Sequence, residues 1–147
     1  MGNISGSMEL ESVEILPGGL TSLPGYAFSE CTKLKSVILP EGLTTINGSC
    51  FHYCTSLETL FLPESIEDFS VLNVLEGCTS LKTLFLGPNI NKIGYWFANG
   101  PTPETLTDIY CYNINPPEIP NDTVPRGVGR LCISRKDITT WHFPIEA

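Results

Sequence analysis

The chain has 147 residues, of which 41% are hydrophobic and 16% charged, and a formal net charge of −8. That length fits one domain with a single continuous core, and 13 Gly with 12 Pro imply frequent turns. The acidic balance disfavours a general nucleic-acid surface, which needs clustered Lys and Arg, and no apolar run approaches the ~20 residues that span a bilayer.

Residues 1–9 read as an N-terminal tail. They have neither a basic n-region nor an apolar h-region. Either the protein is cytosolic or a targeting segment has been trimmed ahead of it, and the initial Met-Gly, which reads as a cloning start, favours trimming. Three Asn-X-Ser/Thr sequons, at Asn3, Asn47 and Asn121, matter only in a secretory eukaryote.

From Leu10 onward the chain repeats itself. "LPGGLTSLPGYAFSECTKLKSV" from Leu16 aligns with "LPEGLTTINGSCFHYCTSLETL" from Leu39 at a period of 23. A third copy opens at Leu62 with one inserted residue. A fourth opens at Leu86, one residue shorter before Phe97 and three longer after Gly100. The columns run Leu16, Leu39, Leu62, Leu86; then Leu20, Leu43, Ile66, Ile90; then Leu23, Ile46, Phe69, Ile93. Next come Phe28, Phe51, Leu75, Phe97; then Cys31, Cys54, Cys78, Gly100; and last Leu34, Leu57, Leu81, Leu106. Six columns that stay apolar or small through four copies are not a chance pattern.

Each unit has a physical reading. Leu34 to Pro40 is a short strand ended by a proline that cannot continue a ladder. A second extended piece runs from Leu43 to Ile46, and Asn47-Gly48 suits a tight turn. Ser49 to Leu57 is too short for a proper helix and is expected to form a helical turn with Phe51 and Cys54 on one inward face. One unit buries too little to fold alone, so stacked copies must share a core and pair strands at ~4.8 Å.

The pattern L-P-x-x-[LI]-x-x-[LI]-x-x-x-[AC]-F-x-x-C-x-x-L-x-x-[VL]-x-L resembles the BspA-like bacterial leucine-rich repeats, over roughly Leu10 to Cys111. The resemblance implies an α/β repeat solenoid, a right-handed superhelix of short parallel strands with turns and short helical turns. About four to five repeats of 23–25 residues would fill residues 10–111, and residues 112–147 would form a capping unit. It also implies a surface-exposed or secreted protein that binds other proteins, including host matrix components, without enzymatic activity or cofactor. Leu75 for Phe and Gly100 for Cys depart from the pattern, and a bulging loop is expected between Asn99 and Thr105.

"CFHYC" at Cys50–Cys54 suggests a metal or redox centre, since the chain has six cysteines and two histidines. The repeat dissolves that reading. Cys50 aligns with Ala27 in a small-residue slot, and Cys31, Cys54 and Cys78 form one column that Gly100 continues. Free Cys behaves there as a small hydrophobe. His52 aligns with Ser29 and Tyr53 with Glu30, which assigns His52 to the solvated side of the turn. Tetrahedral zinc would need ligands at wider spacing. His142 has no visible partner. Four basic residues between Arg126 and Lys136 read as a solvated tail face. Six cysteines are too few to define a disulfide scaffold.

The strands expose a more informative face. With Leu34, Val37 and Leu39 inward, Lys35, Ser36 and Ile38 point out. The outer column reads Glu14, Ile38, Phe61, Phe85, Tyr110, beside Ser12, Ser36, Thr59, Thr83, Asp108 and Glu11, Lys35, Glu58, Lys82, Thr107. An apolar-to-aromatic stripe of this kind is either a partner-binding surface or a cross-strand stabilising ladder, and the two are compatible. The expected partner site is Ile38, Phe61, Phe85 and Tyr110, flanked by Lys35, Glu58 and Lys82; the charges read first as favourable ladder neighbours. No G-x-S-x-G, H-E-x-x-H, Walker A or G-x-G-x-x-G motif occurs, and the Glu67-Asp68 pair falls in an exposed turn. The expectation is a non-catalytic protein-binding module, with an adhesin-like role as its narrower form; a purely structural spacer or capping domain is the other reading.

Overall fold

The structure, a computed structural model, describes residues 4–96, 105, 106, 108–111 and 130–131. Phe97, Gly100, most of the Asn99–Thr105 loop, His142, Asn3, Asn121 and nearly all of the 112–147 unit lie outside the described residues.

The chain is a parallel-strand solenoid. Its front column consists of β1 (Ser12–Glu14), β3 (Ser36–Ile38), β5 (Thr59–Phe61), β7 (Thr83–Leu86), β9 (Asp108–Cys111) and β10 (Arg130–Leu131). Behind it stand β2 (Ser22–Leu23), β4 (Thr45–Ile46), β6 (Asp68–Phe69) and β8 (Lys92–Ile93). Every paired strand is parallel, as one-directional coiling requires. In front, β5, β7, β9 and β10 form one ladder and β1 and β3 another. Between β3 and β5 a long Glu58 N–H to Lys35 C=O bond of 3.4 Å carries the stack across.

Strand periodicity orders each coil. In β3, Val37 is buried while Ser36 and Ile38 face out, because alternate side chains point to opposite faces. The columns Leu34/Leu57/Leu81, Leu43/Ile66/Ile90 and Leu23/Ile46/Phe69/Ile93 are buried from copy to copy and meet in one core. Phe28 stacks on Phe51, centroids 5.4 Å apart and planes at 3°. Leu75 is fully buried in the place of a third phenylalanine.

The segment before each front strand is not helical; among the described residues there is no helix. It is a chain of tight turns bonded from residue i to i−3, such as Cys31 N–H to Phe28 C=O (3.2 Å) and Leu34 N–H to Cys31 C=O (3.1 Å). Left-handed residues interrupt any right-handed run at Tyr26 and Glu30 (φ 60° and 61°), Ser49 and Tyr53 (57° and 56°), and Asn73 and Gly77 (55° and 78°). The expected inward face survives, since Phe51 and Cys54 are both buried. The turns also bond coil to coil: Phe28 N–H donates to Cys50 C=O (2.9 Å), and Phe51 N–H to Val74 C=O (3.1 Å).

Leu16 departs from its column. It is 71% exposed, whereas Leu62 and Leu86 are buried. The strand register pairs Glu14 with Ile38, an offset of 24, and Ile15 N–H donates to Ile38 C=O (3.0 Å). Ile15 therefore occupies the place of Leu39 and packs on the core. Leu16 is the extra residue of the first coil and is turned out.

The fourth coil is adjusted differently. Its slot equivalent to Ala27, Cys50 and Val74 holds Trp96, fully buried. The indole lies 5.2 Å from the Phe69 ring and Nε1 donates to Phe69 C=O at 3.0 Å. The indole fills the slack in a coil that is one residue short, and its only polar atom is satisfied.

Candidate functional site

The strand face brings the predicted aromatic column into register. Phe61 pairs with Phe85, and Phe85 with Tyr110. The Phe61 and Phe85 rings stack at 4.2 Å and 3°, and Phe85 and Tyr110 at 4.8 Å and 12°. These separations match the strand spacing, so the parallel ladder itself sets ring against ring. Ile38 is 58% exposed and Phe61 56% exposed; Phe85 and Tyr110 are half-buried between neighbours. Thr59 and Thr83 line the flank, half-buried and in register.

The charges beside this stripe pair along the stack. Lys35 Nζ lies 3.8 Å from Glu11 Oε2, and Lys82 Nζ 3.2 Å from Glu58 Oε2. All four side chains are more than half exposed, so each pair contributes about 0–1 kcal/mol. Lys35, Glu58 and Lys82 thus form a neutralised border to the aromatic stripe.

The thiol column is a hydrogen-bonded ladder. Cys31, Cys54 and Cys78 are fully buried. Cys54 Sγ–H donates to Phe28 C=O and Cys78 Sγ–H to Phe51 C=O, both at 3.1 Å; Cys31 reaches Ile4 C=O at 3.4 Å. Each of these carbonyls also accepts a backbone N–H, Phe28 C=O from Cys31 and Phe51 C=O from Cys54, so the thiol adds a second bond that ties one coil to the next. Burial pushes the thiols of Cys50 and Cys78 up to about 12, and raises those of Cys31 and Cys54 too. A nucleophilic or ligating role needs the thiolate, which this column suppresses.

Two outcomes follow. The four buried thiols should react with a disulfide reagent at pH 8 only as fast as the protein unfolds. Stability should also fall as pH rises from near 9 towards 12, because unfolded thiols ionise there while folded ones hold their protons. The slope is about 1.4 kcal/mol per pH unit per thiol. Urea midpoints across that range should fall less steeply in Cys50→Ala, a change Ala27 already makes one coil below.

His52 is not on the solvated side of its turn. It is half-buried, with Ser29 Oγ 3.5 Å from Nδ1 and Glu76 Oε2 3.8 Å from Nε2. Ser29, His52 and Glu76 are one repeat column across three coils, and both Ser29 and Glu76 are buried. Nothing in the sequence signals this: Ser, His and Glu in one column read as a solvated face, and the tucked-in carboxylate is visible only in the fold. Asn47 is also committed to packing. Its Nδ2 donates to Leu23 C=O (2.7 Å) and Ser22 Oγ (3.1 Å) of the coil below.

Residues 5–122 match the BspA-type leucine-rich repeat region, in six copies. The chain belongs to that family. A crystal structure of a leucine-rich repeat protein from T. pallidum is similar, with a TM-score of 0.64 and 30% sequence identity. The match covers 72% of this chain and 48% of that one, so the chain spans about half of its length. No curated protein sequence matches. BspA-type repeats are as a rule interaction modules of surface or secreted proteins, and their solenoids are typically non-catalytic. Among the described residues no helix is long and apolar enough to cross a membrane.

Proposed function

We propose that this BspA-type domain is a non-catalytic protein-binding module of a bacterial surface or secreted protein, and that it binds through the front strand face. The observation that carries this reading is the ring stack Phe61–Phe85–Tyr110, which leaves Phe61 more than half exposed. Rings fixed face to face lose little conformational entropy when a partner covers them. Their exposed edges, with Ile38 below, offer a rigid apolar strip between hydroxyls and paired charges. That is the anatomy of an interface core with a polar rim.

The partner class is a protein, and the narrower reading is adhesion to a host extracellular-matrix protein. The test is a panel of immobilised matrix proteins against the domain and a Phe61→Ser/Phe85→Ser variant. The variant should keep the wild-type circular dichroism and lose at least about tenfold in affinity, as for a central aromatic anchor. Equal affinity in a folded variant removes the strand face as the site. Failure of every matrix protein to bind removes the adhesive reading and favours a spacer.

A further inference from the structure

The strand ladders break twice at one level of the stack. In front, β1 pairs with β3 and β5 with β7, but β3 and β5 do not pair; behind, β2 pairs with β4 and β6 with β8, but β4 and β6 do not. Both gaps fall between the same two blocks, residues 4–57 and the described residues from 58 onward. The chain itself crosses this boundary at Leu57-Glu58, and the bonds across it weaken with distance from that point. Glu58 N–H reaches Lys35 C=O at 3.4 Å, against 2.9 Å for Lys35 to Glu11 and for Lys82 to Glu58. At the far end of the strands, Ile15 N–H donates to Ile38 C=O (3.0 Å) and Leu62 N–H to Phe85 C=O (2.9 Å). Leu39, which stands between them in the column, makes no such bond to the next coil among the described residues.

Behind, one side chain accounts for the gap. Asn47 N–H donates to Leu23 C=O (3.1 Å) and Gly94 N–H to Phe69 C=O (3.0 Å), each across a coil boundary. Ser70, between them in that column, gives its N–H to Asp68 Oδ1 at 2.8 Å instead. The amide that would cross to Ile46 is thus turned back on its own coil. Ring contacts keep to the same division. Phe28–Phe51 lies in the first block, Phe61–Phe85, Phe85–Tyr110 and Phe69–Trp96 in the second, and among the described residues no two rings meet across the boundary. The turn edge, however, is bonded throughout: Ser49 N–H to Leu72 C=O and Phe51 N–H to Val74 C=O, both at 3.1 Å, and Tyr53 N–H to Glu76 C=O at 2.7 Å. At the opposite edge side chains make the crossing. Ser65 Oγ accepts Gly42 N–H (3.1 Å) and donates to Leu43 C=O (2.6 Å), and Glu41 Oε1 accepts Glu64 N–H (3.3 Å).

We propose that the solenoid is two blocks hinged along the turn edge, with Ser65 as the latch on the opposite side, and that it opens between β3 and β5 without unfolding either block. Repeat arrays open where a nearest-neighbour interface is weakest, and a row of backbone bonds kept along one side turns that opening into a rotation. The apolar core runs unbroken through the boundary, so the closed form is the resting state and opening is an excursion from it. The movement parts Ile38 from Phe61 and leaves the ring stack Phe61–Phe85–Tyr110 whole. The hinge rests on hydrogen bonding alone and holds whatever the strand face binds.

The experiment is native-state amide hydrogen exchange of the intact chain, read residue by residue by NMR. The Glu58 amide should be protected at least about tenfold less than that of Lys82, its neighbour in the column, while Phe51 and Tyr53 on the hinge match Lys82. Asp68→Thr, a change that Thr45 already makes in that column, frees the Ser70 amide to cross. It should raise protection at Ser70 and Glu58 about fivefold, the effect of one hydrogen bond. Ser65→Ala releases the latch and should lower protection at Gly42 and Glu58 about fivefold, with Lys82, Phe51 and Tyr53 unchanged. Equal protection of Glu58 and Lys82 in the wild type overturns the hinge. So does a Ser65→Ala effect of the same size at every amide, which is global destabilisation, or the absence of any effect at Glu58 in both variants.

Discussion

Phe51→Ala should lower the unfolding free energy by about 4 kcal/mol, within the range for large-to-small changes in a packed core. Phe51 is fully buried and its ring stacks on Phe28 across the coil boundary. In a solenoid each coil is held by its neighbours alone, so a hole here opens both interfaces of the second coil. The carbonyl of Phe51 also accepts the Cys78 thiol, and its amide donates to Val74. Those backbone bonds remain formally possible in the variant but lose the side chain that fixes the turn. A loss of that size is a large share of the roughly 5–15 kcal/mol available to an ordinary domain. Phe51→Leu should cost far less, about 1 kcal/mol, because Leu75 fills the same place in the next coil. Urea unfolding of the two variants checks this; a Phe51→Ala midpoint equal to that of Phe51→Leu would mean that the column does not pack as described.

Much of this architecture was legible because a repeat reports the same position several times over. A buried column such as Leu34, Leu57 and Leu81 declares itself when three copies agree, and period-two alternation then puts Ile38, Phe61 and Phe85 on the opposite face. The misreadings arose where copies were not interchangeable. Leu16 follows the period of 23 that its loop obeys, but β1 runs in register with β3 at an offset of 24, and the strand decides which residue goes in. The turn looked helical because Phe51 and Cys54 are three apart, and tight i to i−3 turns use that spacing too. Its left-handed residues include Tyr, Glu and Ser, types that carry no signal for a positive φ. For the turn edge, the column Ser29, His52 and Glu76 is polar in every copy, so its residue types read as solvated and its burial shows only in the fold. Ring stacking on the strand face was legible, because copies paired at ~4.8 Å set Phe61, Phe85 and Tyr110 ring against ring.

Gly94→Ala should cost about 3 kcal/mol, the upper part of the overpacking range. A Cβ at this position would run into the Ser70 carbonyl carbon and stand 2.6 Å from its oxygen and 2.7 Å from its Cα. All three are backbone atoms, so no rotamer change can make room. Gly94 N–H donates to Phe69 C=O at 3.0 Å, which holds the two coils together where the methyl group would force them apart. The reason for so close an approach is the shortened fourth copy: with one residue fewer before Phe97, the chain must cut across the coil below. Trp96 is seated against Phe69 by the same tightening, so the variant should also shift tryptophan emission to longer wavelength under native conditions. The contrast lies with Gly48, whose added Cβ would meet only the Leu72 carbonyl oxygen at 3.2 Å. A few tenths of an ångström of movement relieves that contact, and Gly48→Ala should unfold close to wild type. Equal urea midpoints for Gly94→Ala and Gly48→Ala would place the tight coil crossing elsewhere.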